Sequence, residues 1–217
     1  HSHTCTSLGY FTEQIAKSGF IGIGFTNASA VVSPPGGNKA ILGTNPIAMA
    51  LPAKNGGIAF QFDQSTSAIA LGKITMASAA GEAIPLGWAV DSQGNDTTDP
   101  NKALKGSLKS SGDYKGWGFG LMTEVLAAAF TGSVNSLDVK GLKLPEGKPH
   151  DLGQCYIILD PNTHGNSFFD RIDRIITAVA EQEGTRLPGS NFIMPETVKI
   201  EKKIFDQLNK LSKGPTA

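Results

Sequence analysis

Residues 46–67, PIAMALPAKNGGIAFQFDQSTS, contain two short apolar runs separated by a glycine-rich turn. Pro46 to Leu51 and Gly57 to Phe62 each have the length of a strand, and the Lys-Asn-Gly-Gly sequence between them is typical of a turn. The stretch therefore predicts two neighbouring strands. The polar residues from Asp63 to Ser67 mark the point where the second strand ends.

Further strands and helices are expected on both sides of this pair, in no strict alternation. Apolar runs over residues 20–26 and 154–159 predict two more strands, and 88–91 a short one. Apolar spacing, alanine content and bounding glycines predict helices over 8–18, 67–80, 116–130 and 168–183, and Asp99-Pro100 is a typical helix start. This irregular mixture favours an α/β fold with a mixed sheet.

Composition narrows the class of protein. The chain has 217 residues, with 19 Lys+Arg balancing 19 Asp+Glu, so it lacks the basic surplus of a nucleic-acid-binding protein. It contains no apolar run long enough for a membrane span. Its two cysteines, Cys5 and Cys155, are far apart, which favours a reducing, cytoplasmic setting. His1 and His3 alone are too few to predict a metal site.

Familiar motifs are absent. The sequence holds no GxGxxG, no GxxxxGK[ST], no HExxH and no GxSxG. A Rossmann dinucleotide site, a P-loop, a zincin site and an α/β-hydrolase elbow therefore have no support from local sequence.

Two polar stretches next to predicted strands each allow a structural and a functional interpretation. Gly43 to Pro46 either forms a turn, or directs the Thr44 hydroxyl and backbone amides at a carboxylate. Asp63 to Ser67 is either a helix N-cap cluster or a contact for a ribose or phosphate.

Two later stretches are similarly ambiguous. In Tyr114 to Gly120, three glycines at spacing two are costly for a helix, so they indicate close packing, and Lys115 could contact a phosphate. Arg186 to Ser190 either forms the turn that follows a helix, or offers the arginine side chain and free backbone amides to a cofactor. His150 and His164 lie in polar loops and are expected to be solvated.

Five stretches in this order resemble the type-2 malate/L-lactate dehydrogenase family: GTNPIAMALP (43–52), FDQSTSAIALGK (62–73), GEAIPLGWAVDSQGNDTTDP (81–100), YKGWGFGLMTEVLAAAFTG (114–132) and RLPG (186–189). The resemblance implies a non-Rossmann α/β fold, an expected homodimer, and NADPH or NADH as cofactor. Family members reduce small 2-oxo or cyclic 2-imino acids, or run the reverse oxidation.

The opening residues 2–11, SHTCTSLGYF, are most similar to the subgroup that reduces Δ1-pyrroline-2-carboxylate and Δ1-piperideine-2-carboxylate. A 2-hydroxy-acid dehydrogenase acting on malate, L-lactate or sulfolactate is the alternative. A cofactor-binding fragment without activity is a third possibility. Lys115 and Arg186 favour NADPH over NADH.

The resemblance also implies roles for individual residues. It assigns substrate binding to Thr44, Leu71 and Gly72. It assigns cofactor binding to Thr4, Cys5, Thr6, Ser7, Leu8, Asp63, Gln64, Ser65, Tyr114, Lys115, Arg186, Leu187, Pro188, Gly189, Ser190, Asn191 and Phe192.

The family's proton donor is a histidine in an N-terminal Ser-His-Gly motif, which this sequence does not contain. The resemblance therefore implies that the catalytic residue lies in a missing N-terminal segment and that this fragment alone is inactive. Residues 1–192 are expected to form the cofactor- and substrate-binding core, and 193–217 a helical tail.

Overall fold

A four-stranded antiparallel sheet forms the centre of the fold. The computed structural model describes residues 2–140, 150–165, 167–190 and 197–212. The strands are β1 (Ile21–Thr26), β2 (Ile47–Pro52), β3 (Ile58–Gln64) and, after two short ones, β6 (Gln154–Leu159), in the order β3-β2-β1-β6. The short strands β4 (Ala89–Val90) and β5 (Ser107–Leu108) pair separately. All the predicted strands are present, with ends shifted by one or two residues.

The helices follow the prediction closely. They are α1 (Leu8–Lys17), α2 (Leu71–Ala80), α3 (Pro100–Lys105), α4 (Tyr114–Glu124), α5 (Ser167–Ala180) and α6 (Lys202–Ser212). A π-helical turn (Val125–Ala129) continues α4, and a 3₁₀ turn (Pro161–His164) precedes α5. The α/β prediction is confirmed, whereas the sheet expected to be mixed is antiparallel at all three strand pairings. Among the described residues, parallel pairing is limited to one bridge between Val32 and Leu108.

Two glycines in β1 allow α1 to lie directly on the sheet. A Cβ on Gly22 would stand 2.9 Å from Ile15 Cβ, and a Cβ on Gly24 would stand 3.2 Å from Leu8 Cδ1. Small side chains are therefore required where the helix crosses the strand. The first turn of α1 is thereby fixed near the end of the sheet where β1 and β3 finish.

Helix α2 begins four residues later than predicted. The backbone amide of Ala68 donates to the Lys109 carbonyl, and Ser67 forms an antiparallel bridge with Ser110. These residues are held extended by a neighbouring strand-like segment, so the helix starts only at Leu71. Here tertiary pairing outweighs the helix propensity of the alanine-rich stretch.

A second hydrophobic core lies outside the sheet. Ile74 of α2 is fully buried among Ile84, Leu108 and neighbouring apolar side chains, with Trp88 and Trp117 packed against them. No helix in the described part of the chain is both long and apolar enough to cross a membrane.

Candidate functional site

The loop before β2 is held rigidly by a buried asparagine. Asn45 is completely buried with φ +36°, and its Nδ2 donates to Glu124 Oε2 at 2.8 Å and to the Gly120 carbonyl at 3.1 Å. Its Oδ1 accepts from the Ala28 amide at 3.2 Å. Asn45 therefore has the structural role of the turn interpretation, and it fixes the backbone on which Thr44 stands.

A cavity of about 220 Å³ lies next to this loop, and we call it the histidine cavity. It brings together Thr44, Asp63 and the predicted cofactor loop before α1. Its lining residues are Thr4, Cys5, Thr6, Leu8, Thr26, Asn27, Ala28, Ser29, Thr44, Pro46, Asp63, Val139, His150 and Leu152. Thr44 and the 4–8 loop, predicted to hold substrate and cofactor respectively, thus share one cavity.

Asp63 connects β3 to the first turn of α1. Its Oδ2 accepts from the Gly9 amide at 2.8 Å and from Ser7 Oγ at 3.3 Å. The N-cap interpretation was therefore correct in its chemistry, because a carboxylate satisfies a free amide of a helix start. It was wrong about the helix, since Asp63 bonds to α1, which precedes it in sequence, and not to α2.

His150 is buried, which contradicts the prediction that it is solvated. Its relative exposure is 9%, its ring meets His3 edge-on at a centroid distance of 4.5 Å, and its Nδ1 lies 3.0 Å from the Lys140 carbonyl oxygen. The polar sequence around it gave no sign of this, because the ring contact comes from His3, far away in the sequence. The side chain of His164 is outside the described part of the structure.

Two titratable groups near this cavity have raised pKa values. Burial raises the pKa of the Cys5 thiol above its ordinary value, and the Asp63 charge acts in the same direction. Burial also raises the pKa of Tyr156 to about 12, with Cys5 and Asp63 adding to the increase. Both groups are therefore kept protonated around neutral pH.

A larger cavity of about 610 Å³ opens on the other face of the sheet, between it and α4, and we call it the sheet cavity. Three predicted cofactor residues, Gln64, Ser65 and Lys115, supply polar groups to it. The remaining wall is mainly apolar and consists of Ile23, Phe25, Ile47, Phe62, Thr66, Ser111, Gly112, Gly116, Phe119 and Met122.

The predicted cofactor residues are thus divided between two cavities. Asp63 and Gln64 are successive residues of β3, and side chains alternate between the faces of a strand. Asp63 lines the histidine cavity while Gln64 lines the sheet cavity. A ligand that touches both must reach around the end of β3.

A third set of predicted residues lies along the outer edge of β3. Leu187, Pro188, Gly189 and Ser190 line a groove of about 250 Å³ with residues 58–61. A Cβ on Gly189 would stand 2.7 Å from the Gln61 carbonyl oxygen, so this contact requires glycine. Gln61 is two residues from Asp63, roughly 7 Å along the strand. Asn191 and Phe192 are outside the described residues.

Five predicted residues do not line these cavities, and one of them, Ser7, donates from its hydroxyl to Asp63. Leu71 and Gly72 form the exposed first turn of α2, Tyr114 is 69% exposed at the start of α4, and Arg186 is exposed just before the groove segment. None of them lines the histidine cavity, the sheet cavity or the groove.

Close packing explains two of the three glycines in α4. A Cβ on Gly116 would collide with the Ser111 carbonyl, and one on Gly120 would stand 3.0 Å from Thr66 Oγ1. A Cβ on Gly118 would meet nothing within 4 Å. The helix therefore approaches the 66 and 111 segments closely, and this approach forms one end of the sheet cavity.

Sequence reasoning missed a buried carboxylate. Glu124 accepts hydrogen bonds from Asn45, from the Ser136 amide at 2.6 Å and from Ser136 Oγ at 2.5 Å. All three residues are buried. A glutamate within the apolar run LMTEVLAAAF was the available signal, because a charged group at a core position needs partners.

Comparison with known proteins shows the family to which this chain belongs. The family model for malate/L-lactate dehydrogenase matches residues 1–202. The chain belongs to this family. The resemblance noted from the five sequence stretches is confirmed, and so is membership of a family of oxidoreductases.

Three similar proteins illustrate the range of the family. The chain is 39% identical to (2R)-3-sulfolactate dehydrogenase (NADP(+)) of Chromohalobacter salexigens, over 87% of this chain and 56% of that protein. It is 33% identical to Delta(1)-pyrroline-2-carboxylate reductase 1 of Burkholderia ambifaria, over 96% and 64%. The structure of sulfolactate dehydrogenase from Methanocaldococcus jannaschii superposes with a TM-score of 0.80 at 32% identity, over 95% and 62%. The chain spans somewhat more than half the length of these relatives.

Proposed function

We propose that this chain provides the substrate- and cofactor-binding part of an NADPH-dependent reductase of small cyclic 2-imino acids. The substrates would be Δ1-pyrroline-2-carboxylate or Δ1-piperideine-2-carboxylate, reduced to proline or pipecolate. The observation that carries this proposal is the shared cavity, which Thr44 lines together with Thr4, Cys5, Thr6 and Leu8. The similarity to a pyrroline-2-carboxylate reductase over 96% of the chain supports the substrate class.

The residues present fit a nicotinamide dinucleotide. The sheet cavity has the size of a ligand pocket, with an apolar wall for a flat ring and a few polar groups at its rim. Lys115 is exposed there and forms no ion pair among the described residues, so its charge is available to a phosphate. When bound, NADPH would supply the hydride that reduces the C=N bond.

The chain's own residues would position the two ligands. Asn45 fixes the turn so that the Thr44 hydroxyl can donate to the substrate carboxylate. Asp63 holds the first turn of α1, and with it the 4–8 loop that we assign to the cofactor. The groove segment at Leu187–Ser190 would extend the cofactor site along β3.

One observation favours a second candidate, a 2-hydroxy-acid dehydrogenase of the sulfolactate, malate or L-lactate type. The relative with 39% identity is named as a sulfolactate dehydrogenase, a higher identity than that of the pyrroline-2-carboxylate reductase. A ketone and a cyclic imine both carry a carboxylate beside the reduced carbon, so Thr44 serves either substrate. The carboxylate contact alone does not separate these two candidates.

Substrate profiling separates them. The full-length protein, which would include the N-terminal histidine that the resemblance implies, is mixed with NADPH, and absorbance at 340 nm is followed with Δ1-pyrroline-2-carboxylate, pyruvate, oxaloacetate and sulfopyruvate in parallel. Faster oxidation with the imine supports the reductase, and faster oxidation with an oxo acid supports the dehydrogenase. NADPH binding without turnover on any substrate would support an inert binding fragment.

We further propose a homodimer in the cytoplasm. The exposed face of α4 and of the π-helical turn carries large apolar side chains at Phe119, Leu121, Val125 and Phe130. Such a patch is typical of a protein interface. Both cysteines are free, which suits a reducing compartment. Light scattering coupled to size-exclusion chromatography measures the mass of the protein in solution and so tests the proposed dimer.

A further inference from the structure

We propose that Glu124 is a positioning residue for the proposed reaction: acting through Asn45, its buried carboxylate holds the Thr44 hydroxyl in place for the acid substrate. This inference rests on the proposed function, because it assumes that Thr44 contacts the substrate. Glu124 lines neither the histidine cavity nor the sheet cavity, so any effect it has on the reaction passes through other residues. Neither the predicted site residues nor the resemblance to the family assigned a role to it.

A carboxylate at this position is costly for the fold. Glu124 is buried at the end of α4, and none of the ion pairs found among the described residues includes it. Burying a charge carries a desolvation penalty, which neutral donors offset only while they stay in place. The donors here are the side-chain amide of Asn45 and the backbone amide and hydroxyl of Ser136. The carboxylate therefore favours one arrangement of the two segments that carry these donors.

Three separate segments of the histidine cavity meet at this buried carboxylate. Asn45 belongs to the loop before β2, and its Oδ1 accepts from the amide of Ala28, which lines the cavity. The Ser136 carbonyl accepts from the Ala30 amide at 2.9 Å. Val139, three residues after Ser136, lines the cavity as well. One hydrogen-bonded network thus sets the relative positions of three parts of the wall.

The backbone of the loop before β2 depends on this anchor. Asn45 has φ +36°, a conformation that residues other than glycine keep only where the surrounding contacts hold them in it. A Cβ on Gly43 would stand 2.3 Å from the Ala28 carbonyl oxygen, so the loop is also packed tightly against its neighbour. The Thr44 carbonyl is held separately by the Thr66 amide at 2.9 Å. Loss of the buried anchor should therefore displace the Thr44 hydroxyl and leave the loop folded.

The expected consequence of Glu124→Gln is a loss of affinity for the acid substrate. An amide offers one oxygen, so a glutamine that accepts from the Ser136 amide presents its own NH2 group to the NH2 group of Asn45. The KM for the acid should rise about tenfold, because a small displacement of a positioning group is costly. The KM for NADPH should stay the same. Partial unfolding would instead lower kcat through loss of active enzyme and leave both KM values unchanged.

The test is a double-substitution cycle in the full-length protein. Turnover is followed at 340 nm with the acids used for substrate profiling, and a calorimetric Kd replaces KM for an acid that binds without turnover. Glu124→Gln, Thr44→Ala and their combination are compared with the wild type. If Glu124 acts through Thr44, the combination should raise KM no further than Thr44→Ala alone, whereas independent effects would multiply. Glu82→Gln, at an exposed position, is the matched control and should leave both KM values unchanged.

A second variant covers the case in which Glu124→Gln folds poorly. In Asn45→Gly the new residue tolerates a φ of +36°, and both bonds from Ser136 to the buried carboxylate remain. The substitution removes the side chain that connects the carboxylate to the Thr44 loop. It should reproduce the rise in KM for the acid, and it should again add nothing once Thr44 is replaced by alanine.

The outcomes separate this inference from the proposed function. A rise in KM with Thr44→Ala, combined with an unchanged KM in Asn45→Gly or with multiplying effects in the cycle, would overturn the inference and leave the proposed function intact. An unchanged KM in Thr44→Ala would overturn the inference together with the place of Thr44 in the site. If the protein neither reduces nor binds any of the acids, the inference and the substrate assignment both fail, and fluorescence titration with NADPH shows whether the cofactor assignment stands.

Discussion

Asn45 and Glu124 form a buried side-chain pair, 2.8 Å apart, that connects the loop before β2 to the last residue of α4. The two residues are separated by 79 positions in sequence. The loop carries Thr44, which lines the histidine cavity, and α4 carries Lys115, which lines the sheet cavity. One hydrogen-bonded pair therefore links the elements that form both cavities.

Removing Glu124 should destabilise the protein strongly. Glu124→Ala removes the acceptor of one Asn45 N–H, whose amide keeps its bond to the Gly120 carbonyl, and leaves the Ser136 amide buried without an acceptor. It also removes the short bond from Ser136 Oγ, so we expect a loss of about 2–4 kcal/mol in the free energy of unfolding. Chemical denaturation measures it. The control is Glu82→Ala at an exposed position, expected to change stability by less than about 0.5 kcal/mol. Equal effects of the two substitutions would contradict the role of the buried network.

Thr44 should affect the acid substrate and leave the cofactor unaffected. Thr44→Ala removes a hydroxyl donor to the carboxylate, so the KM for the acid, or its Kd in the isolated chain, should rise about tenfold. The Kd for NADPH, measured by fluorescence, should stay the same. Thr44→Ser keeps the hydroxyl and serves as the matched control. Unchanged values for the acid in Thr44→Ala would remove Thr44 from the site.

Lys115 should contribute to cofactor affinity through its charge. Lys115→Gln removes the cation at the rim of the sheet cavity, and we expect NADPH to bind about tenfold more weakly. Lys102→Gln, on the exposed surface of α3, is the control and should bind NADPH normally. A parallel NADH titration shows whether Lys115 contacts the additional phosphate. An unchanged NADPH affinity in Lys115→Gln would place the cofactor elsewhere.

Cys5 should react slowly with alkylating reagents, and NADPH should slow it further. Burial raises the pKa of its thiol, so little thiolate is present at pH 7.5 and labelling should accelerate as pH increases. Mass spectrometry after iodoacetamide treatment measures the rate. Cys155, on β6, is the internal control, since NADPH should not protect it. Equal protection of both cysteines, or of neither, would argue against the 4–8 loop as a cofactor contact.

Tyr156 should ionise at a higher pH than an unfolded tyrosine. Its pKa is raised to about 12, compared with about 10 for an unfolded tyrosine. Its contribution to stability is therefore complete below pH 10 and is lost as pH rises toward 12. Absorbance at 295 nm during alkaline titration measures the transition. Tyr156→Phe should abolish the transition at about pH 12, whereas Tyr114→Phe, at an exposed position, should retain it.

The sequence predicted the elements well because their signals are local. Two apolar runs around a glycine turn define β2 and β3, and Asp99-Pro100 defines the start of α3, where Asp99 does accept from the amides of Asn101 and Lys102. The start of α2 was misplaced because Ala68 is held by a bond to Lys109, a partner 41 positions away. A hydrogen bond between residues so far apart in the chain gives no signal in the local sequence.

The sequence predicted several residues of the candidate site, but it did not predict which cavity each of them lines. The family resemblance selected Thr44 and Asp63, and the structure places both in one cavity. It did not indicate that Gln64 lines a different cavity, nor that His150 is buried against His3. These two facts depend on the face of the sheet to which each side chain of β3 points, and on contacts between segments that are distant in sequence.

Asp63 and Gln64 point to opposite faces of β3, and each lines a different cavity. The length of the hairpin turn between β2 and β3 therefore decides which side chain enters which cavity. Inserting one residue at Asn55 and shifting β3 by one position against β2 would exchange the two side chains between the faces of the sheet. The carboxylate would enter the apolar cavity, and the Gly9 amide would lose its acceptor. Insertions or deletions of two residues in this turn should therefore be better tolerated than insertions or deletions of one residue, because a shift of two keeps each side chain on its own face of the sheet.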